Sequence, residues 1–91
     1  MRFLYKRRYL KGLGGHPAFL QKGILEAESR VKEYCETSRA PFGLRIKKLG
    51  LATYEARVTA SLRILFIKEK DQITFALIGN HEEVRNYLKS Y

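Results

Sequence analysis

The chain has 91 residues, 45% of them apolar and 30% charged, which suits one globular domain with a modest core and excludes a disordered chain. Eighteen Lys and Arg against nine Asp and Glu leave a formal charge of +9. The expected partner is therefore a polyanion: nucleic acid first, an acidic protein segment second, a membrane surface third.

Membrane association ranks last because no apolar run approaches the ~20 residues that a spanning helix needs. The opening MRFLYKRRYLKGLGG is basic but has no apolar stretch leading to a small-residue cleavage site, so a signal peptide is not expected. The single cysteine, Cys35, cannot form an internal disulfide. It reads as a small packing residue in a reducing, cytoplasmic setting.

Taken in order, the elements read βααββββα. Arg2 to Tyr5 alternates and carries two aromatics, as a first strand does. Tyr9, Leu10 and Leu13 fall at helical spacing, and Gly14-Gly15 is expected to stop that short helix as a C-terminal glycine does. Pro17 suits the first turn of a second helix running to about Thr37. Its apolar stripe is Leu20, Ile24, Ala27, Val31 and Tyr34, with Glu and Lys expected opposite. Gly23 weakens this helix by roughly 1 kcal/mol relative to Ala. Arg39-Ala40-Pro41-Phe42-Gly43 breaks the chain before the strands.

In the strand from Leu44, Leu44 and Ile46 point one way and Arg45 and Lys47 the other. Tyr54, Ala56 and Val58 then alternate with Glu55, Arg57 and Thr59, the pattern of one buried and one wet face. Leu62 to Ile67 is apolar on both faces except at Arg63, and Ile73 to Ile78 is apolar on both, so these two strands are expected at the centre. Gly79-Asn80 ends the last strand. Asn80 with Glu83 three residues on predicts a helix start, and Val84 and Leu88 predict its inner stripe.

From Arg39 to Lys68 there are seven Lys or Arg against one acid, Glu55. Metal chemistry finds no support, since His16, Cys35 and His81 show no ligand spacing. A Ser-His-Asp triad is unsupported because the sole Asp, Asp71, sits in a turn. Gly12, Gly14 and Gly15 lack the Lys-Ser/Thr of a phosphate loop. The residues permit metal-free phosphodiester chemistry, in which an RNA 2′-hydroxyl attacks its own phosphate. Such a reaction needs a proton acceptor, cations for the extra charge on phosphorus, and an acid for the leaving oxygen.

Each candidate also has a plain structural reading. Arg45, Lys47 and Lys48 read equally as a solvated strand face, and Arg57 reads equally as an ion-pair partner of Glu55. Arg63 is harder to dismiss, because a lone cation among apolar residues must reach a specific partner or the sheet edge. His81 stands either as an ordinary first-turn residue or as a proton carrier kept neutral by the helix dipole. His16, beside Pro17, reads as structural. Tyr87 and Tyr91, one turn apart, read as core or surface aromatics before they read as base-stacking platforms.

The order LRIKKL, YEARVTASLRILF, ITFALIGNHEEV, with the opening FLYKRRYLKGL, resembles the RelE/ParE toxin superfamily, closest to its RelE-like branch. The resemblance runs over nearly all of residues 1–91. It implies one α/β (α+β) domain with a helical hairpin packed on a twisted, mainly antiparallel sheet of four to five strands. It also implies a type II toxin that cuts mRNA at the ribosome without metal or other cofactor and is silenced by a cognate antitoxin. The antitoxin's acidic C-terminal segment would cover the basic face, so the chain would exist as a monomer or in a toxin–antitoxin complex.

Carried over residue by residue, Arg57 matches a catalytic or RNA-holding cation, and Arg63 the arginine that stabilises the transferring phosphate. His81 matches a position after the last strand where relatives place Arg or His. Tyr87 lies about where some relatives have a C-terminal tyrosine, and Arg45, Lys47 and Lys48 would bind RNA. Glu55 fills a slot often cationic in cleaving members, which leaves the base open between Glu55 and His81. The gyrase-poisoning ParE branch shares the fold and generally lacks this constellation, so Arg63 with His81 favours RNA cleavage. Two other classes remain: a non-catalytic module (ParE-like, or a degenerate toxin that keeps antitoxin binding), and a small RNA-binding protein.

Overall fold

A computed structural model describes residues 1–37 and 45–90. The breaker cluster 39–43, the strand start at Leu44 and Tyr91 lie outside the described residues. The elements are β1 (Arg2–Tyr5), α1 (Arg7–Gly14), α2 (Ala18–Thr37), β2 (Ile46–Lys48), β3 (Thr53–Arg57), β4 (Arg63–Glu69), β5 (Gln72–Gly79) and α3 (His81–Ser90). The expected order is observed. The five strands form one sheet in the order β1-β5-β4-β3-β2, antiparallel except that β1 joins β5 in parallel. The sheet is thus mixed, with β4 and β5, apolar on both faces, near its middle.

Both faces of that centre are covered. On one side Ile24, Ala27, Val31 and Cys35 of α2 and Tyr9 of α1 pack on Ala56, Ile64, Phe66, Ile73, Phe75 and Ile78. On the other, Val84, Tyr87 and Leu88 of α3 pack on Leu65, Ile67, Ala76 and Leu77. Each large buried side chain contributes about 1.5–3 kcal/mol through water exclusion, so both layers matter to stability. Burial pushes the Cys35 thiol up, as expected of a packing cysteine. Among the described residues, no helix is long and apolar enough to cross a membrane.

Three details depart from the expected pattern. Glu28 lies within the buried face of α2, where only apolar residues were expected. It accepts 2.8 Å from the hydroxyl of fully buried Tyr9 and pairs at 3.3 Å with Lys32. The carboxylate is tolerated there because its oxygens are engaged. Gly15 ends α1 with φ −84°, so no left-handed residue is used; its N–H bonds back to the Lys11 and Gly12 carbonyls instead. Third, the β4–β5 register shifts between Leu65 and Phe66, which pair with Leu77 and Phe75. Ala76 is thereby an extra residue on β5, a bulge. Past this bulge the side-chain alternation inverts, so Gly79 falls on the α3 side of the sheet.

Candidate nucleic-acid interface and active site

The strand registers carry several of the sheet's cations into one row. Arg57 pairs opposite Arg63, and Arg63 pairs opposite Gly79. Arg57 N–H also donates to Arg45 O at 3.0 Å, which continues the ladder past Ile46–Ala56 and sets Arg45 opposite Arg57. Directly opposite residues of an antiparallel pair share a face, and neighbouring strands lie about 4.8 Å apart. Arg45, Arg57 and Arg63 therefore form a file across β2, β3 and β4 on the α3 side. Lys47, two residues from Arg45, is on the same face. Arg45, Lys47 and Arg57 are exposed, and none of them has an ion-pair partner among the described residues.

Arg63 differs. Its Nε donates to Glu55 Oε2 at 3.2 Å, and both side chains keep only 12% of their surface exposed. Glu55 lies opposite Leu65, so Arg63 reaches it diagonally, a distance long side chains span. Expectation placed Glu55 on a wet face, with Arg57 as one reading of its ion-pair partner. Instead Glu55 is buried and pairs with Arg63, although Lys47 is its direct neighbour on β2. α3 covers the neighbouring Leu65 and Leu77 on this face.

The row ends at the start of α3. Asn80 Oδ1 accepts from Glu83 N–H at 2.8 Å, and Glu83 Oε1 accepts from Asn80 N–H at 3.0 Å. This reciprocal box fixes the first turn. A Cβ on Gly79 would stand 2.9 Å from Glu83 Cβ, so glycine is what lets that turn sit directly on the strand beside Arg63. His81 is then held two residues beyond the partner of Arg63, exposed, with Nε2 3.3 Å from Arg85 Nη2. A guanidinium only donates, so in this contact Nε2 is the acceptor. Among the described residues there is no group of three or more His, Cys, Asp or Glu that could hold a metal ion.

No protein-family model matches this chain, and no curated protein sequence does. Solved structures do. The RelB–RelE antitoxin–toxin complex from Methanococcus jannaschii aligns over 92% of this chain and 96% of the matched chain, with TM-score 0.67 and 21% identity. The YoeB/ParE toxin from Agrobacterium tumefaciens aligns over 89% and 99%, with TM-score 0.67 and 13% identity. The DinJ–YafQ complex from E. coli aligns over 92% and 98%, with TM-score 0.66 and 11% identity. The chain has the RelE/ParE toxin fold.

Within this RelE/ParE-like fold the sequence-derived candidates divide. Glu55, Arg57, Arg63, Arg45 and Lys47 share one face, and His81 follows directly from the strand beside Arg63. Lys48 does not join them. It lies opposite Tyr54 on the α2 side, its Nζ 5.9 Å from the centre of that ring. Tyr87 is half-buried and tied to the N-terminal segment: Lys6 Nζ donates to its hydroxyl at 3.2 Å, and the Arg8 guanidinium lies 5.5 Å from its ring centre. His16 is structural, its Nδ1 2.6 Å from the Gly12 carbonyl between the two helices. Sequence reading missed Arg85, although its four-residue spacing from His81 on a helix was a visible signal.

Proposed function

We propose that this protein is the toxin of a type II toxin–antitoxin system, an endoribonuclease that cuts mRNA at the ribosome without a metal cofactor. The observation that carries the reading is the file Arg45–Arg57–Arg63, which ends opposite Gly79, two residues before His81. A file of cationic residues on adjacent strands, whose backbones lie about 4.8 Å apart, suits a polynucleotide backbone laid across the strands. At its inner end, Arg63 is paired opposite Gly79, two residues before His81 on a capped helix start, a placement that suits chemistry on one phosphate. Solved proteins of this fold include toxins held by antitoxins, which supports an antitoxin partner with an acidic segment for this basic face. A reducing cytoplasm is the compartment that such partners share.

In this reading Arg45, Lys47 and Arg57 hold the backbone, and Arg63 faces the phosphate that is cut. The 2′-oxygen forms a bond to phosphorus as its proton leaves, and the bond from phosphorus to the 5′-oxygen breaks. The 5′-oxygen takes up a proton, and a 2′,3′-cyclic phosphate remains. Arg63 stabilises the extra negative charge on phosphorus, and His81 moves a proton.

Inducing the protein alone in cells and mapping mRNA ends tests this. Discrete cuts within coding regions, with cyclic phosphate ends and undiminished in EDTA-treated extracts, are expected. Growth arrest with intact mRNA and damaged DNA would instead indicate a gyrase-targeting module. Healthy growth would indicate a degenerate toxin that keeps only antitoxin binding.

A further inference from the structure

We propose that Glu55 is a positioning residue that holds the Arg63 guanidinium by its Nε edge, and that it is not the proton acceptor. The inference deepens the RNA-cleavage reading and rests on it for the kinetic part only. Three cations compete for this carboxylate: Lys47 directly opposite, Arg57 two residues along the same strand, and Arg63 on the diagonal. Arg63 takes it, at 3.2 Å, in the least exposed corner of the row. A contact through Nε leaves all four Nη hydrogens of Arg63 for a ligand. It also fixes the plane of the guanidinium, which a long side chain on an open sheet would not do alone. Such fixing is what a transition-state donor needs, because its orientation is then set before the charge develops.

The base role conflicts with this one. A proton arriving on Glu55 would remove the ion pair that aims Arg63 in the very step that puts extra charge on phosphorus. The proton from the 2′-hydroxyl therefore goes to His81, whose ring is not part of that pair and accepts at Nε2 once its contact with Arg85 opens. Glu55 also screens Arg63 from Arg57 directly opposite, so one carboxylate both orients and tolerates a crowded cation.

The experiment uses full-length protein labelled with 15N, with Arg63→Lys to assign the Arg63 Nε–H resonance. A Gln at position 55 keeps an oxygen for Nε but cannot take the proton, whereas Ala does neither. The Nε–H signal is expected to be protected from exchange in wild type and in Glu55→Gln, and lost in Glu55→Ala. Single-turnover cutting of ribosome-bound mRNA should fall no more than about tenfold in Glu55→Gln and about 10²-fold in Glu55→Ala, with KM little changed. The acid limb of the pH–rate profile should persist in Glu55→Gln. If Glu55→Gln is as impaired as Glu55→Ala while its Nε–H signal remains protected, Glu55 is the proton acceptor and the proposal is overturned. An unprotected Nε–H in wild type overturns it too. Protection that disappears in Glu55→Ala, in a wild type that cuts no mRNA, upholds the clamp and defeats the cleavage reading instead.

Discussion

Two arginines set directly opposite each other, Arg57 and Arg63, destabilise a sheet by a few tenths to 1 kcal/mol unless something neutralises them. Glu55 neutralises Arg63, and Arg57 stays exposed beside it. With that repulsion neutralised, replacing Arg57 with Thr, a good strand residue, should leave the melting temperature little changed while weakening RNA binding several-fold. Calorimetry and a filter-binding titration on one preparation check both outcomes. Lys48→Ala should be much milder than any change in the row, because that side chain lies over Tyr54 on the opposite face. Alternation in RIKK and YEARV was enough to read which residues share a face. It could not say which cation Glu55 would choose. That choice depends on the diagonal across β3 and β4, set by long-range pairing.

At the scale of elements, the helix start does the most to place His81. Losing the Asn80 cap by Asn80→Ala should lower stability by about 1 kcal/mol, as caps generally do, and should loosen His81 with it. Gly79→Ala should cost more, about 1–3 kcal/mol, because its Cβ would stand 2.9 Å from Glu83 Cβ and the helix would have to shift. Denaturant midpoints compare the two variants. The capping box was legible in the sequence, since Asn80 and Glu83 have the spacing themselves. The bulge at Ala76 was not, because ITFALIG has Thr74 as its one polar side chain and so carries no parity signal. α2 hid a second feature in plain sight. Burial, then the carboxylate of Glu28, pushes the Tyr9 phenol far above its usual 10.0, and its bond with Tyr5 raises Lys32 above 10.5. Unfolded, both groups release protons near their ordinary values; folded, they keep them. Stability should thus be level below about pH 10 and fall above it, by about 1.4 kcal/mol per pH unit for Tyr9. Urea midpoints between pH 8 and 11 test this, and the slope should lessen in Tyr9→Phe.

Across the whole molecule, a charge of +9 and the file of cations predict that, if the protein binds RNA, the affinity depends strongly on salt. If Arg45, Lys47, Arg57 and Arg63 each neutralise one phosphate, the logarithm of affinity for single strands should fall with that of salt at a slope of roughly −3. Arg57→Ala should reduce that slope by about 0.7. The overall architecture was readable from periodicity because each element has its own pattern. The parallel docking of β1 at the far side of β5 was not, since it joins residues seventy apart. The most direct measurement is cutting of mRNA on programmed ribosomes in excess EDTA by the wild type, Arg63→Ala and His81→Ala. Wild type should yield 2′,3′-cyclic phosphate ends, with each variant slowed 10²–10³-fold yet folded and able to bind an antitoxin. Undiminished cutting by the double variant, or cutting that EDTA abolishes, would contradict a metal-free reaction run by these two residues.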